Sequence, residues 1–380
     1  MPAEEIKTGD VSLTLCKRCH DEEATLQIRS ESVCKKCFCQ YVTTKAIKRM
    51  ETYRVRGSTV KAQRKLLLPL SFGPSSSSLL HILDQHIEGQ YARMNRSGYE
   101  LFVVHIDVFL DPADRKDASE LLEKYKGRFS RHTYSSVGLE EALLLDNIDW
   151  KALGIQGIPD NESGLPATER LQKLLGSMSS ATSRADIAST LLTRLLVDVA
   201  KRNHCESILF GESTTRLAEK TLTETAKGRG FSLPWQVSDG ASPYGIGFNY
   251  PLRDLLKKEI VTFTSLTTPP LTELVIFQEK PSNISASSKT TTIDDLMAQY
   301  FESVEENYPS IVANVVRTSS KLQPLIGNDT TNCGLCGLPV TEGTDGIYGW
   351  GGDQNSDSRP AKEDGQHGVL CYGCSRSING

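Results

Sequence analysis

Eight of the ten cysteines in this chain fall into four Cys-x-x-Cys pairs: Cys16/Cys19, Cys34/Cys37, Cys333/Cys336 and Cys371/Cys374. Two residues between thiols is the spacing at which one tight turn aims both sulfurs at a single ion, and two such pairs complete a tetrahedron. The first two pairs are 14 residues apart, within reach of a short hairpin. Lys17, Arg18, Lys35 and Lys36 lie between those ligands, where they would offset the double negative charge of a four-thiolate zinc site. The last two pairs are 34 residues apart, and their spacer, rich in Gly, Asp and Ser, reads as an insertion in a second ribbon. Long surface insertions add little closure entropy. The opening MPAEEIKTGD lacks the basic and apolar stretches of a secretory signal, so disulfides are disfavoured and two structural zinc sites are expected. His20 and His367 are near enough to be alternative ligands, although four cysteines already fill each tetrahedron. Cys39 reads as a bystander and Cys205 as a core thiol.

A second chemistry-bearing tract is cationic. Lys45, Lys48, Arg49, Arg54, Arg56, Lys61, Arg64 and Lys65 face a single acid, Glu51. Net charge over the 380 residues is −4, which argues against indiscriminate coating of nucleic acid but leaves room for a local RNA contact. A solvated helix face explains the same residues equally well. No apolar run is long enough to span a membrane.

The elements that must position these groups follow from periodicity. Phe38 to Val55 reads as a helix leaving the first ribbon, and Lys65 to Ser71 as a buried strand. Tyr99–Val108, Arg128–Ser135 and Glu206–Ser213 read as further strands. Asp114–Tyr125, Ile187–Asn203 and the segment from Thr215 read as helices. Positions 151–183 read as mostly loop, and Pro281–Thr292 as a disordered insertion. No internal repeat is evident, because the two cysteine sites differ in spacing. Strand–helix alternation predicts an α/β fold with a parallel sheet covered on both faces. The division expected is a ribbon over 1–44, a basic helical linker over 45–64, an α/β domain over 65–325 and a second ribbon over 326–380.

In such a sheet, ligands sit at the carboxyl ends of strands, often on a helix N-terminus. SFGPSSSS, from Ser71 to Ser78, occupies that position. The amides and hydroxyls of Ser75, Ser76 and Ser77 could cradle a phosphate beside Ser71 and Gly73. Residue chemistry favours the plainer alternative, in which Ser75 or Ser76 caps the helix with Pro74 in its first turn. The loop has one glycine, no lysine and no acid.

A ribbon at each end of a strand–serine-loop core resembles the PP-loop tRNA thiolases, a Rossmann-like adenine-nucleotide-binding fold. More narrowly the chain resembles the cytoplasmic tRNA 2-thiolation protein 2 family. The likeness covers most of the chain, including CKRCHDEEATLQIRSESVCKKCFCQYVTTKAIKRM, ILFGESTTRLAEKTL, YPLRDLLKKEI, YPSIVANVVRTSSKL and NCGLCGLP with the closing CYGC. Catalytic relatives carry S-G-G-x-D-S in the loop, where this chain has Ser71, Phe72, Gly73, Pro74, Ser75 and Ser76. Their core Cys-x-x-Cys falls in Gly176–Asp186, which offers Ser180 and Ser183. Their G-H-N-x-D-D becomes Gly211, Glu212, Ser213, Thr214, Thr215 and Arg216.

The resemblance implies a cytoplasmic, non-catalytic subunit that forms a heterodimer with a catalytic tRNA thiolase subunit. The pair would convert the wobble uridine of tRNAs for lysine, glutamate and glutamine to 5-methoxycarbonylmethyl-2-thiouridine, with sulfur from a ubiquitin-like thiocarboxylated carrier. This chain would bind tRNA through its first ribbon and basic tract, and would not turn over ATP. Two other functions remain open from the sequence. One is an active PP-loop adenylase, supported by Arg253 and Lys258; the other is a ribbon adaptor that binds protein only.

Overall fold

Leu66, Leu67 and Leu68 lie in strand β3 (Arg64–Pro69) and are all buried, yet they feed two separate cores. Side chains alternate along a strand, so Leu66 and Leu68 enter one apolar cluster and Leu67 the other. Strand β4 (Tyr99–Asp107) repeats the pattern: Leu101 and Val103 face one way, Phe102, Val104 and Ile106 the other. Burial on both faces is why these strands read as continuous apolar runs. In the computed structural model the described residues are 14–55, 63–108, 112–148, 150, 153, 164–277, 290–324, 331–340 and 370–379.

Among the described residues the first elements are a hairpin, β1 (Leu26–Ile28) and β2 (Glu31–Val33), followed by α1 (Lys35–Arg49). After β3 come α2 (Pro74–Met94), β4, α3 (Pro112–Arg128), β5 (Thr133–Gly138), α4 (Ala167–Gly176) and α5 (Ala181–Arg202). Then follow β6 (Ser207–Leu209), α6 (Thr214–Ala226), α7 (Leu233–Gln236), β7 (Gly240–Ala241), β8 (Gly247–Asn249) and α8 (Lys257–Leu266). The last elements are α9 (Ile293–Asn307), α10 (Pro309–Ser319), the pair β9 (Thr331–Asn332) and β10 (Pro339–Val340), and α11 (Tyr372–Asn379). The main sheet has the order β5-β4-β3-β6-β8-β7, parallel except for β7 against β8. The chain runs outward from β3 to β5 and then returns to β6 on the other side of β3. That reversal opens the switch-point crevice where parallel sheets bind ligands.

The sheet also separates the ribbons. The first packs with α1, α2 and α8 on one face, and the second joins α5 and α6 on the other. The parallel sheet covered on both faces is as expected, and several boundaries are not. The first helix stops at Arg49 and gives way to a tight turn over Glu51–Tyr53, so the basic tract is not one helix. Arg128 ends α3 instead of opening a strand. Within 151–183, α4 forms because Arg170, Leu171 and Leu174 recur on one buried face. Thr292 is ordered as the cap of α9, in a reciprocal pair with Asp295. Most of the Pro281–Thr292 segment and the insertion before Cys371 lie outside the described residues.

Candidate functional site

The two cysteine sites are built the same way despite their unequal spacers. In each, one pair sits on a turn closed by a left-handed residue. His20, at φ +60°, donates its amide to Cys16 O at 2.9 Å. Gly337, at φ +72°, donates to Cys333 O at 2.8 Å. The other pair opens a helix. The Cys37 amide donates to Cys34 Sγ at 3.4 Å and the Cys374 amide to Cys371 Sγ at 3.4 Å. Local geometry is thus repeated where the sequence showed no repeat.

In both sets all four sulfurs lie within 4.8 Å of one another. Cys19 and Cys34 are 3.8 Å apart, and Cys336 and Cys371 are 3.9 Å apart. Zinc–thiolate bonds of about 2.3 Å in a tetrahedron put sulfurs about 3.8 Å apart, so both sets fit zinc. Amides from Arg18, at 3.5 Å from Cys16, and Cys371, at 3.3 Å from Cys333, add the hydrogen bonds that thiolates require. Hydrogen bonds from Cys336, Cys371 and Cys374 hold the Cys333 thiol well below its ordinary range. The same contacts push Cys336 and Cys374 well above it. Filling the site therefore releases protons as the metal enters. His20 is exposed and outside the four-sulfur group, and His367 lies outside the described residues. Cys205 is a buried core thiol pushed up to about 11, chiefly by desolvation. Cys39 is half-buried beside the first site.

Neither ribbon hangs free. Tyr41 donates to Glu259 at 3.4 Å, and Arg49 grips Asp254 at 2.7 and 2.9 Å. On the opposite face, Tyr244 donates to Cys336 O at 2.7 Å, and Ser377 of α11 donates to buried Asp186. Asp186 also pairs with Arg229, which reaches Glu224 at 2.8 Å, and with Lys227 at 3.2 Å. Nothing in the sequence marked Arg194, Tyr244, Asp186 or Arg229 as neighbours of a metal centre. The available signal was an arginine within the apolar run of α5.

The loop after β3 keeps its place and turns the hydroxyls of Ser76 and Ser77 inward, while Ser71 is exposed and Ser75 half-buried. Gly73 caps α2 without a side-chain bond, and Pro74 takes the first turn, so neither Ser75 nor Ser76 is the cap. Ser76 Oγ donates to Gly73 O at 3.2 Å and lies 3.2 Å from Ser71 Oγ. Ser77 Oγ donates to the same carbonyl at 2.8 Å and meets the Tyr125 hydroxyl. Phe72 adopts φ +60°, a conformation suited to glycine, and its buried ring stacks on His105 and Tyr125 at 4.2 and 5.4 Å. Across the crevice, a β-carbon on Gly211 would fall 2.9 Å from Ser76 Cα, so the two loops touch. Ser213 caps α6, Thr214 donates to Arg253 O at 2.7 Å, and Thr215 donates to Glu305. Ser180 caps α5, accepting from the Ser183 amide at 3.0 Å. Lys258 donates its side chain to Glu305 O at 3.1 Å.

The basic tract is partly spent within the chain. Arg49 pairs with Asp254, Arg54 with Glu51 at 2.8 Å, and Arg64 with Glu206 at 3.5 Å. Lys45 lies over the Tyr41 ring at 5.9 Å and Lys48 is exposed. Arg56 and Lys61 lie outside the described residues. No described helix is long and apolar enough to cross a membrane.

A family model described as cytoplasmic tRNA 2-thiolation protein 2 matches residues 292–376. A protein of that name from Sclerotinia sclerotiorum is 69% identical over 307 residues, covering 81% of this chain and 82% of the relative. This chain belongs to the cytoplasmic tRNA 2-thiolation protein 2 family. Family members from Phaeosphaeria nodorum and Pyrenophora tritici-repentis are 50% and 48% identical over 96% and 100% of this chain, and over 94% and 97% of their own lengths. Among solved structures, the U34-tRNA thiolase of Methanococcus maripaludis with its 4Fe-4S cluster shares the fold. The TM-score is 0.57 over 87% of this chain and 93% of that one, at 16% identity. This chain thus has the fold of that thiolase, and its family gives it a role in tRNA 2-thiolation.

Proposed function

We propose that this chain is the non-catalytic subunit of a cytoplasmic tRNA thiolase. It pairs as a heterodimer with a catalytic subunit of the same fold. The substrate is the wobble uridine of tRNAs for lysine, glutamate and glutamine, and sulfur comes from a ubiquitin-like thiocarboxylated carrier. The observation that carries the reading is the inward-turned loop. Phe72 fills the place of a phosphate-approaching glycine, and the hydroxyls of Ser76 and Ser77 are engaged with Gly73 O. Ser180, Ser183, Thr214 and Thr215 likewise hold helix ends and neighbouring backbone. Adenylation needs free phosphate donors and metal-binding acids, and sulfur transfer needs thiolates. Here the hydroxyls of Ser76, Ser77, Ser180, Ser183, Thr214 and Thr215 are held in structural hydrogen bonds. The eight ribbon cysteines hold zinc, which supplies structural cross-links.

The deciding assay reconstitutes 2-thiolation of unmodified tRNA from both subunits, ATP and a sulfur donor, omitting one subunit at a time. We expect thiouridine, detected by mass spectrometry, only when both are present. Product from this chain alone would overturn the reading. Calorimetric titration of the isolated chain with ATP and magnesium should show no saturable binding.

The basic tract supports a tRNA contact through Lys45, Lys48, Arg56 and Lys61, with phosphate recognition that reads shape. Reversing Lys45 and Lys48 to Glu should weaken tRNA binding and lower the salt slope by about one per lost phosphate contact. The internal pairing of Arg49, Arg54 and Arg64 favours the protein-only adaptor instead. Filter binding with bulk tRNA separates the two, since an adaptor of that kind retains none.

A further inference from the structure

Charge divides the two metal centres. The first carries its own counter-charge, because Lys17, Arg18, Lys35 and Lys36 stand exposed between its ligands. Between the ligands of the second lie only Gly334, Leu335, Tyr372 and Gly373. Arg376, the nearest cation in that ribbon's sequence, points to solvent. All four of its cysteines are buried, at 0–5% exposure. A filled four-thiolate zinc site keeps a double negative charge, and burying it without a cation is strongly unfavourable.

Two buried guanidiniums approach it from the α/β body, those of Arg229 and of Arg194 in α5. Arg229 Nη1 would lie 3.0 Å from a β-carbon on Gly373, but its charge is already met by Asp186 and Glu224. Arg194 is only 7% exposed and has no carboxylate partner among the described residues, unlike the buried Arg229 and Arg253. Its Nη2 donates to Asn147 O at 2.7 Å and Asn147 Oδ1 at 2.6 Å, which fixes the guanidinium. The group lies 5.8 Å over the ring of Tyr244, whose hydroxyl binds Cys336 O. A β-carbon on Gly337, the left-handed residue closing the cysteine turn, would fall 1.6 Å from Arg194 Nη1. The guanidinium is thus seated directly against the turn that carries Cys333 and Cys336. Together with Lys201 it lines a cavity of about 280 Å³ that Cys333 also borders.

We propose that Arg194 is the counter-cation and positioning residue of the C-terminal metal centre, so that the α/β body electrostatically completes a site whose ligands all come from the ribbon. A lone buried guanidinium and a doubly negative thiolate cluster each offset the other's burial. The N-terminal centre needs no such help.

The test uses the full-length, zinc-loaded chain titrated with a zinc chelator. Released thiols are alkylated and mapped by mass spectrometry, which reports the two centres separately. Loss of a group that supports a zinc ligand set weakens metal binding by about 10–100-fold. R194M should therefore lower the retention of zinc at Cys333, Cys336, Cys371 and Cys374 by at least about tenfold, leaving the N-terminal centre at its wild-type midpoint. R194K keeps the charge while giving up the Asn147 fork, and should hold zinc more tightly than R194M. The proposal is overturned if R194M releases C-terminal zinc at the wild-type midpoint, if both centres weaken together, or if R194K is as weak as R194M. Should R194M fail to fold, R194Q takes its place against R194K under the same criteria.

Discussion

At Phe72 two terms oppose each other. A non-glycine residue in the left-handed region costs about 1–2 kcal/mol, whereas deleting a buried phenylalanine ring costs about 3–5 kcal/mol. The ring is buried between His105 and Tyr125, so packing wins. Phe72→Gly should destabilise the chain by about 2 kcal/mol in urea unfolding and should not create ATP binding. A stabilised variant would mean that strain outweighs packing. The same packing holds the loop in its observed shape. An aromatic ring now occupies the core where glycine would leave the backbone open to an approaching phosphate.

Among the elements, serine hydroxyls cap helices α5 and α6. Ser180 accepts from the Ser183 amide and opens the 22-residue helix α5. Ser180→Ala should cost about 1 kcal/mol, the usual worth of an N-cap, read from the urea midpoint. Ser183→Ala, which leaves the cap acceptor in place, should cost less. The link from α1 to the segment before α8 is weaker still. Arg49 and Asp254 are each more than one-third exposed, so Arg49→Ala should change stability by less than about 1 kcal/mol. The first ribbon is held chiefly by apolar packing of Phe38, Tyr41, Val42 and Ala46.

The whole molecule should lose stability in two steps as pH falls. Burial, with Arg128 nearby, pushes His81 down to about 4, and burial, with Arg54 and Arg93, does the same to His86. Both are neutral when folded, while the unfolded chain takes up protons near pH 6.5. Stability is therefore full above about 6.5 and declines between about 6.5 and 4. Asp186 adds the second step. Burial would raise it, but Arg229 and Lys227 prevail and hold it below the ordinary carboxylate range. Its contribution is present above its unfolded value near 4 and is lost as pH falls through the lower folded one. Urea unfolding of wild type and a His81→Gln/His86→Gln double variant at pH 7 and 5 should show a smaller drop for the variant. An equal drop would place the first step elsewhere, in protonation of the zinc ligands for example.

The features legible from residue pattern alone are local. Cys-x-x-Cys spacing dictates four-sulfur sites because two residues are the length of one turn. Continuous apolar strands dictate a sheet buried on both sides. The serine loop was recognisable at the carboxyl end of β3, and its missing acids were visible without coordinates. Strands β7 and β8 were not legible, since two and three residues carry no measurable period. Helix α4 was hidden by flanking glycines and prolines, and its burial depends on the elements it meets. Only the tertiary structure set Gly211 against Ser76, residues 135 positions apart, and Gly337 against Arg194. It also sent the ribbons to opposite faces and spent three arginines of the basic tract on distant or local acids. Those outcomes rest on the order of strands and on which buried charge finds which partner. Coulomb energy and packing act through space, and a linear pattern fixes neighbours only along the chain.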